Sequence, residues 1–425
     1  MTGRLRAVLD RRFVAPAITL FAAVLLLLDV AAIARTVNGN PSWRTTVDFG
    51  LYLETAHTIA RGGDPYDYRV AAGVIHHAYA YPPLFAEIIV PLAQIGDDVA
   101  RLTWLAISAA CLIASVVLLL REFGHRVAGH WLLLVLALLF ATFPVRDDLY
   151  HGQANFALLF LIVVGAWFLR AERPRGAGMA WGLMFVIKPF LGVLVVFLLL
   201  RRQYRAAATS VATALILFVG SFLVMAPQGL GPFRGWIDAS RYDANAPFTT
   251  QMDNYALRGV LERLFSTNGA AQAWTDSSLL LNGLAVLLVA ALVAAVLYAI
   301  PRGRREAESA DQFLLQVGFF LAAAMTYGPL TEGDHLFLLL PGLVGALFLA
   351  SSAAGAHALR WRLAAALAWI ALMSMLASPV LSLLGANPFL FVTHPQGIAV
   401  LWTGRIGFLL LAVTVISAFA LRREQ

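Results

Sequence analysis

The sequence predicts an all-α polytopic membrane protein, a single domain over 1–425 with about 12 transmembrane helices, outer-face amphipathic helices and one short helix hairpin. Three observations predict it. The 425 residues are 60% hydrophobic and 13% charged, with a mean hydropathy of +0.77, whereas soluble domains carry about 25% charged residues. Apolar runs recur from end to end, and about 20 such residues cross roughly 30 Å of hydrocarbon as a helix. Basic residues cluster in the short segments between the runs, as they do at cytoplasmic membrane faces.

The predicted spans are 13–34, 100–120, 130–146, 154–169, 177–188, 190–200, 206–226, 277–300, 312–327, 335–352, 362–384 and 398–420. The first has no small-residue cleavage site after it and reads as a retained span. With a cytoplasmic N-terminus, the inner segments hold 19 of the 31 basic residues, in clusters such as Arg4, Arg6, Arg11 and Arg12 or Arg201, Arg202 and Arg205. Both termini are then cytoplasmic, and the two long loops, 35–99 and 227–276, are extracytoplasmic. Segment 82–95 is short, proline-flanked and followed by Asp97 and Asp98, so it reads as an outer interfacial piece. The pair 177–188 and 190–200 is arginine-rich at both far ends. A hairpin of two short helices, each about 18 Å long, meeting at Lys188-Pro189, accounts for that.

Composition also excludes. Cys111 is the sole cysteine, so no disulfide or cysteine metal site exists within one chain. The net charge of +7 comes from scattered arginines, not a patch, which argues against nucleic acid. No His/Asp/Glu spacing matches a strong metal motif, so neither metal nor cofactor is expected. The arginine- and alanine-rich usage with a single lysine points to a bacterial cell membrane.

On this map the polar motifs gather on the outer face. Asp48 opens a helix with Phe49, Leu53, Ala56 and Ala60 as its apolar stripe, and Tyr52 at the stripe's edge. Gly62-Gly63-Asp64-Pro65 stops that helix, and Tyr81-Pro82-Pro83 starts the next segment. Asp147-Asp148 and His151-Gly152-Gln153-Ala154-Asn155 follow span three; Lys188, the only lysine, lies at the hairpin mouth; Asn254 and Arg258 lie in the second long loop; Asp334 and His335 open span ten. Each has a plainer reading. Asp48 and Asp334 suit helix N-caps, the HGQ turn suits a connector, Lys188 suits snorkelling, and Arg258 suits lipid phosphate. Asp147 and Asp148 are the rival acidic site. A charge within the membrane is costly enough to count as a functional candidate by default.

From about 45 to 340 these motifs resemble glycosyltransferase family 87 of the GT-C superfamily. The resemblance rests on the helix opened by Asp48, the GGDPY turn, Tyr81-Pro82-Pro83, His151-Gly152-Gln153-Ala154-Asn155 and Lys188-Pro189. MDNYALRG and EGDHLFLLLP are similar to two further family segments but depart from them at Tyr255, Ala256 and Thr331-Glu332-Gly333. The resemblance implies a GT-C bundle and inverting transfer of a sugar, mannose first, from a polyprenyl-phosphate donor to a lipid or glycan hydroxyl outside the cytoplasm. It implies Asp48 as the base, with Lys188, Arg258 and His335 on the donor phosphate. Tyr52, Tyr81, His151, Gln153, Asn155, Asn254 and Asp334 would contact sugar or acceptor. The alternative from another class is a lipid-linked sugar flippase or other transporter. Transporters commonly carry internal repeats and mid-bilayer polar sites, and the sequence shows no clear repeat.

Overall fold

A computed structural model describes residues 16–24, 27–28, 48–66, 79–121, 129–140, 142–243, 249–251, 254–268, 271–299, 308–328, 330–351, 356–374 and 405–422. Among these the chain is helical with no β-strand, as a backbone without water to bond requires. Four helices are long and apolar enough to cross a membrane: Asp97–Arg121, Tyr204–Val224, Ser278–Ala299 and the helical stretch Asp334–Ser351. These match the predicted spans 100–120, 206–226, 277–300 and 335–352 to within a few residues. Shorter apolar helices include Gly129–Phe140, Asn155–Arg170 and Pro189–Leu200. Half of span 13–34, part of 362–384 and the start of 398–420 lie outside the described residues, as do Asn387-Pro388 and Thr393-His394-Pro395.

The first long segment between predicted spans, 35–99, contributes α1 (Asp48–Ala60) and α2 (Leu84–Ala93). Helix α1 buries Phe49, Leu53 and Ala56 of the stripe read from its spacing, together with Tyr52 and Thr55 from its edge, while Ala60 at the helix end is exposed. It ends at Gly62, whose φ of 74° is left-handed. Helix α2 begins after Pro83, packs on α1 and leads into α3 (Asp97–Arg121). The predicted third span, 130–146, is not one helix. It breaks into α4 (Gly129–Phe140) and α5 (Phe143–His151), because Thr142 is extended and Pro144 sits at the start of the new helix. The Arg146-Asp147-Asp148 motif is therefore helical, not a loop ending a span.

Helix α6 (Asn155–Arg170) pairs with α7 (Pro174–Ile187), and α7 lies on α9 (Tyr204–Val224). The α7–α9 approach needs small residues: a Cβ on Gly178 or Gly182 would lie 2.5 Å from the Ala206 or Ser210 carbonyl. Helix α7 stops at Lys188, whose backbone is extended because Pro189 follows. A 3₁₀ turn, Pro189–Gly192, then starts α8 (Val193–Leu200), and the Trp181 and Phe197 rings lie 6.0 Å apart across the break. Beyond them are α10 (Gly231–Asp243), α11 (Leu257–Phe265), α12 (Ser278–Ala299) and α13 (Ala310–Tyr327). A 3₁₀ segment, Asp334–Leu339, runs into α14 (Leu340–Ser351), followed by α15 (Ala356–Ser374) and α16 (Arg405–Arg422).

One buried ion pair fixes α8 to the start of α13. Arg201 donates from both terminal nitrogens to Glu308 and also to Gln316, between the Phe197 and Phe313 rings at 5.3 and 5.2 Å. The two charged side chains are only 11% and 16% exposed, so removing one partner strands the other at a cost of about 3 kcal/mol. Arg201→Ala is expected to lower the thermal unfolding temperature of the detergent-solubilised protein by several degrees. An unshifted melt would show that the pair contributes nothing.

Candidate active site

The site is built around the turn between α5 and α6. Gly152 ends α5 with a φ of 66°, and its N–H caps the Asp148 carbonyl. A Cβ there would stand 2.6 Å from the Cβ of Phe49, so glycine lets the turn press against α1. Trp104 on α3 pins the same turn by donating from its indole N–H to the Gly152 carbonyl at 2.8 Å.

Two amides then point two ways. Gln153 donates from Nε2 to Asp48 Oδ2 at 2.5 Å and accepts on Oε1 from the Tyr52 hydroxyl at 2.8 Å. Asn155 donates from Nδ2 to Asp334 Oδ2 at 2.8 Å and accepts on Oδ1 from Lys188 Nζ at 2.9 Å. Lys188 Nζ also lies 2.7 Å from His335 Nε2, and the Asp334 carboxylate accepts the His335 backbone N–H at 2.9 Å. Asp48, Lys188, Gln153, Asn155, Asp334 and His335, from four separated segments, thus form one cluster. Gln153, Asn155, Lys188, Asp334 and His335 are all buried.

Aromatic rings wall the cluster. Tyr52 packs edge-on against Tyr81 at 5.9 Å and Phe85 at 5.0 Å, and Lys188 Nζ lies 6.0 Å from the centre of the Tyr81 ring. Tyr79, unremarked in the sequence, donates its hydroxyl to the Pro82 carbonyl and receives the Ala86 N–H, holding the Tyr-Pro-Pro turn.

Burial pushes the Asp48 carboxyl above its usual range, with His151 and Lys188 pulling it back. For His151 burial opposes the charge, but Asp147, Asp48 and Asp334 outweigh it and raise the imidazole to about 10. His151 Nδ1 sits 3.1 Å from the Asp147 carbonyl and 3.4 Å from its carboxylate. Ionised at neutral pH, it supplies a second cation beside Asp48.

Two predicted site residues are placed elsewhere. Arg258 Nε donates to Glu262 at 3.1 Å, one turn along α11, with its side chain 41% exposed; that contact ties it to its own helix rather than to Lys188 and His335. Asn254 is fully buried and used by the backbone: Nδ2 donates to the Thr249 carbonyl, and Oδ1 accepts the Ala256 and Thr331 N–H groups. It staples the second outer loop to the segment before His335, a structural task that sequence spacing does not separate from ligand binding.

Glu332, Asp334 and His335 bring potential metal ligands within 4.8 Å of one another. Both nitrogens of His335 face partners, Nε2 the Lys188 ammonium at 2.7 Å and Nδ1 the Glu332 backbone nitrogen at 3.2 Å, and a neutral imidazole accepts at one of the two. A cation there would face an ammonium, so these residues fit a metal poorly.

The fold and cluster define a helical membrane protein with a buried carboxylate–ammonium site. Residues 79–326 match the model of Glycosyltransferase family 87, and the chain belongs to that family. It is 30% identical over 203 residues to an alpha-(1->3)-arabinofuranosyltransferase of Mycobacterium tuberculosis, covering 47% of this chain and 45% of the relative. It is 26% identical over 252 residues to a polyprenol-phosphate-mannose-dependent alpha-(1-2)-phosphatidylinositol pentamannoside mannosyltransferase of the same species, covering 57% and 56%. Its match to the Mycolicibacterium smegmatis protein of that description is 26% identical and covers 64% of each. The chain thus spans about half to two thirds of the lengths of these relatives.

Gly152→Ala is expected to displace the turn from Phe49, at about 1–3 kcal/mol of strain, and to cut transfer activity more than tenfold while the protein still folds. Activity within twofold of the unmodified protein would show that the close approach to α1 is dispensable.

Proposed function

We propose that the protein transfers a sugar, with inversion, from a polyprenyl-phosphate donor to a hydroxyl of a lipid or glycan acceptor on the extracytoplasmic face of a bacterial membrane. The observation that carries this reading is that Gln153 and Asn155, two residues apart on one turn, hold Asp48 and Lys188 close enough for the ammonium to act on the carboxylate. Family membership supports the class of reaction and does not favour the flippase alternative.

In this reading Asp48 takes the proton of the attacking hydroxyl. The oxygen bonds to the anomeric carbon as the carbon–oxygen bond to phosphate breaks, and the electron pair leaves on the phosphate. Attack opposite the leaving group inverts the carbon. The growing phosphate charge falls to Lys188, held by Asn155 and His335, because charge-assisted bonds from pre-placed donors act most strongly where charge develops. His151 adds positive charge beside Asp48. Gln153 fixes the carboxylate oxygen it touches, and Tyr52 and Tyr81 offer ring faces and hydroxyls to a sugar. The chemistry balances with these groups alone.

Sidedness belongs to the same proposal: twelve crossings, both termini cytoplasmic, a hairpin turning at Lys188, and the cluster outside. Lipid chains would lie between helices where short α7 and α8 leave room. Mannose is the first sugar to test, after the polyprenol-phosphate-mannose-dependent relatives; arabinofuranose is the second, after the arabinofuranosyl relative.

Purified protein given labelled polyprenyl-phosphate sugars and crude lipid acceptors is expected to form labelled glycolipid, and failure with both sugars would remove the proposal. Asp48→Asn should lower the turnover rate by about 10²–10⁴-fold with the donor still bound; near-normal turnover would eliminate Asp48 as the base. For Lys188→Ala, donor dissociation measured by titration should rise about tenfold or more. Unchanged donor affinity would return this lysine to snorkelling.

A further inference from the structure

One carboxyl of the cluster has no part in the reaction above. Asp148 lies on α5 and is 1% exposed, yet among the described residues neither carboxyl oxygen has a hydrogen-bond partner in good geometry. A buried acid left this way is costly as a carboxylate and far less so as a neutral acid. Helix α5 packs on the 3₁₀ segment Asp334–Leu339, near enough for Asp334 and Lys188 to act on the Asp148 charge and for the Asn155 amide to reach toward its carboxyl.

Among the described residues the charged and titratable groups around it are few. The 3₁₀ segment supplies Asp334 and His335, the α7 terminus supplies Lys188, and its own helix supplies Asp147 and His151. Asp48 and Glu332 stand one bonded neighbour further out, on Gln153 and His335. Helix α4, also packed on α5, is wholly apolar from 131 to 140. Whichever ring nitrogen accepts, an ammonium 2.7 Å from Nε2 opposes a second positive charge on the His335 ring, which is therefore neutral. Lys188 and Asp334 then cancel, and the charge on Asp148 decides whether the lysine's surroundings are neutral or negative.

We propose that Asp148 is a positioning residue for donor binding. In the resting protein it is the neutral member of an Asp148–Asp334 carboxyl pair, and its retained proton keeps the Lys188 network from repelling the donor phosphate. The inference rests on the phosphate-donor reading of the site. Burial, with Asp334 nearby, raises the Asp148 carboxyl well above the ordinary range, in keeping with two close carboxyls that cannot both ionise. The sign follows. Below its ionisation Asp148 is neutral and phosphate binds; above it, a new negative charge faces the anion and binding weakens.

The test uses the full-length protein in nanodiscs, undecaprenyl phosphate as probe, and binding titrations between about pH 6 and about pH 9, below the ionisation of His151. The unmodified protein should lose about tenfold or more in affinity across that range, and Asp148→Asn, which cannot ionise, should lose less than about threefold. In Asp334→Asn the loss should move to lower pH, because removing the neighbouring charge lets Asp148 ionise sooner. Thermal melts of each variant separate misfolding from lost affinity, and Asp148→Ser serves if the asparagine variant does not fold. A pH profile in Asp148→Asn parallel to that of the unmodified protein would overturn the role of Asp148 while leaving the donor reading standing. A pH-independent affinity in the unmodified protein would do the same. Absence of binding by the unmodified protein at every pH would remove both.

Discussion

The constraint on which the site depends is the need to satisfy polar groups inside an apolar bundle. A buried carboxylate, amide or ammonium without a partner costs several kcal/mol or shifts its protonation. The Gly152–Asn155 turn meets that need for four groups at once. Tyr52 can only donate to Gln153 Oε1 when the carboxamide Nε2 faces Asp48, and Lys188 can only donate to Asn155 Oδ1 when Nδ2 faces Asp334. The charges at the two ends therefore set both amide orientations, with no freedom to flip. Each amide in turn holds a functional group at a fixed angle.

The same economy explains the backbone. A proline after Lys188 ends α7 where an ammonium is wanted, and a proline at the start of α5 ends α4 so that its acids and histidine enter the cluster. A left-handed glycine brings the turn against Phe49, and Trp104 closes it from α3. The breaks that shorten these helices are what bring their polar ends into the bundle. Where no site is needed, as in Ser278–Ala299, the helix runs unbroken and stays mostly uncovered by protein.

Much of this was legible in the sequence. Asp48, Gln153, Asn155, Lys188, Asp334 and His335 announced themselves as polar residues flanking apolar runs beside proline or glycine, and they meet. The long spans were legible to within a few residues because hydrophobic length is a strong signal. Arg258 and Asn254 have partners the sequence does not reveal: spacing places a residue in a loop but does not say that Glu262 or the Thr331 backbone bonds to it. The break at Thr142 was hidden because one apolar run continues through it. Trp104 and Tyr79 gave no signal, since an indole or phenol within an apolar stretch reads as core until its hydrogen bond is seen.

Lys188 shows how a saturated network can still receive a ligand. An ammonium has three N–H donors, and among the described residues two are engaged, by Asn155 and His335. The aromatic wall of Tyr81 stands 6.0 Å away, too weak a partner to compete with a phosphate oxygen. A phosphate taking the third donor would break none of the bonds that hold the lysine in place. The cost of burying the charge is already met by Asn155, His335 and Asp334, so on the proposed reading the lysine would meet the donor pre-oriented. Pre-orientation spares the reorganisation that a snorkelling side chain would need, and it is what distinguishes a binding lysine from one that merely escapes the membrane.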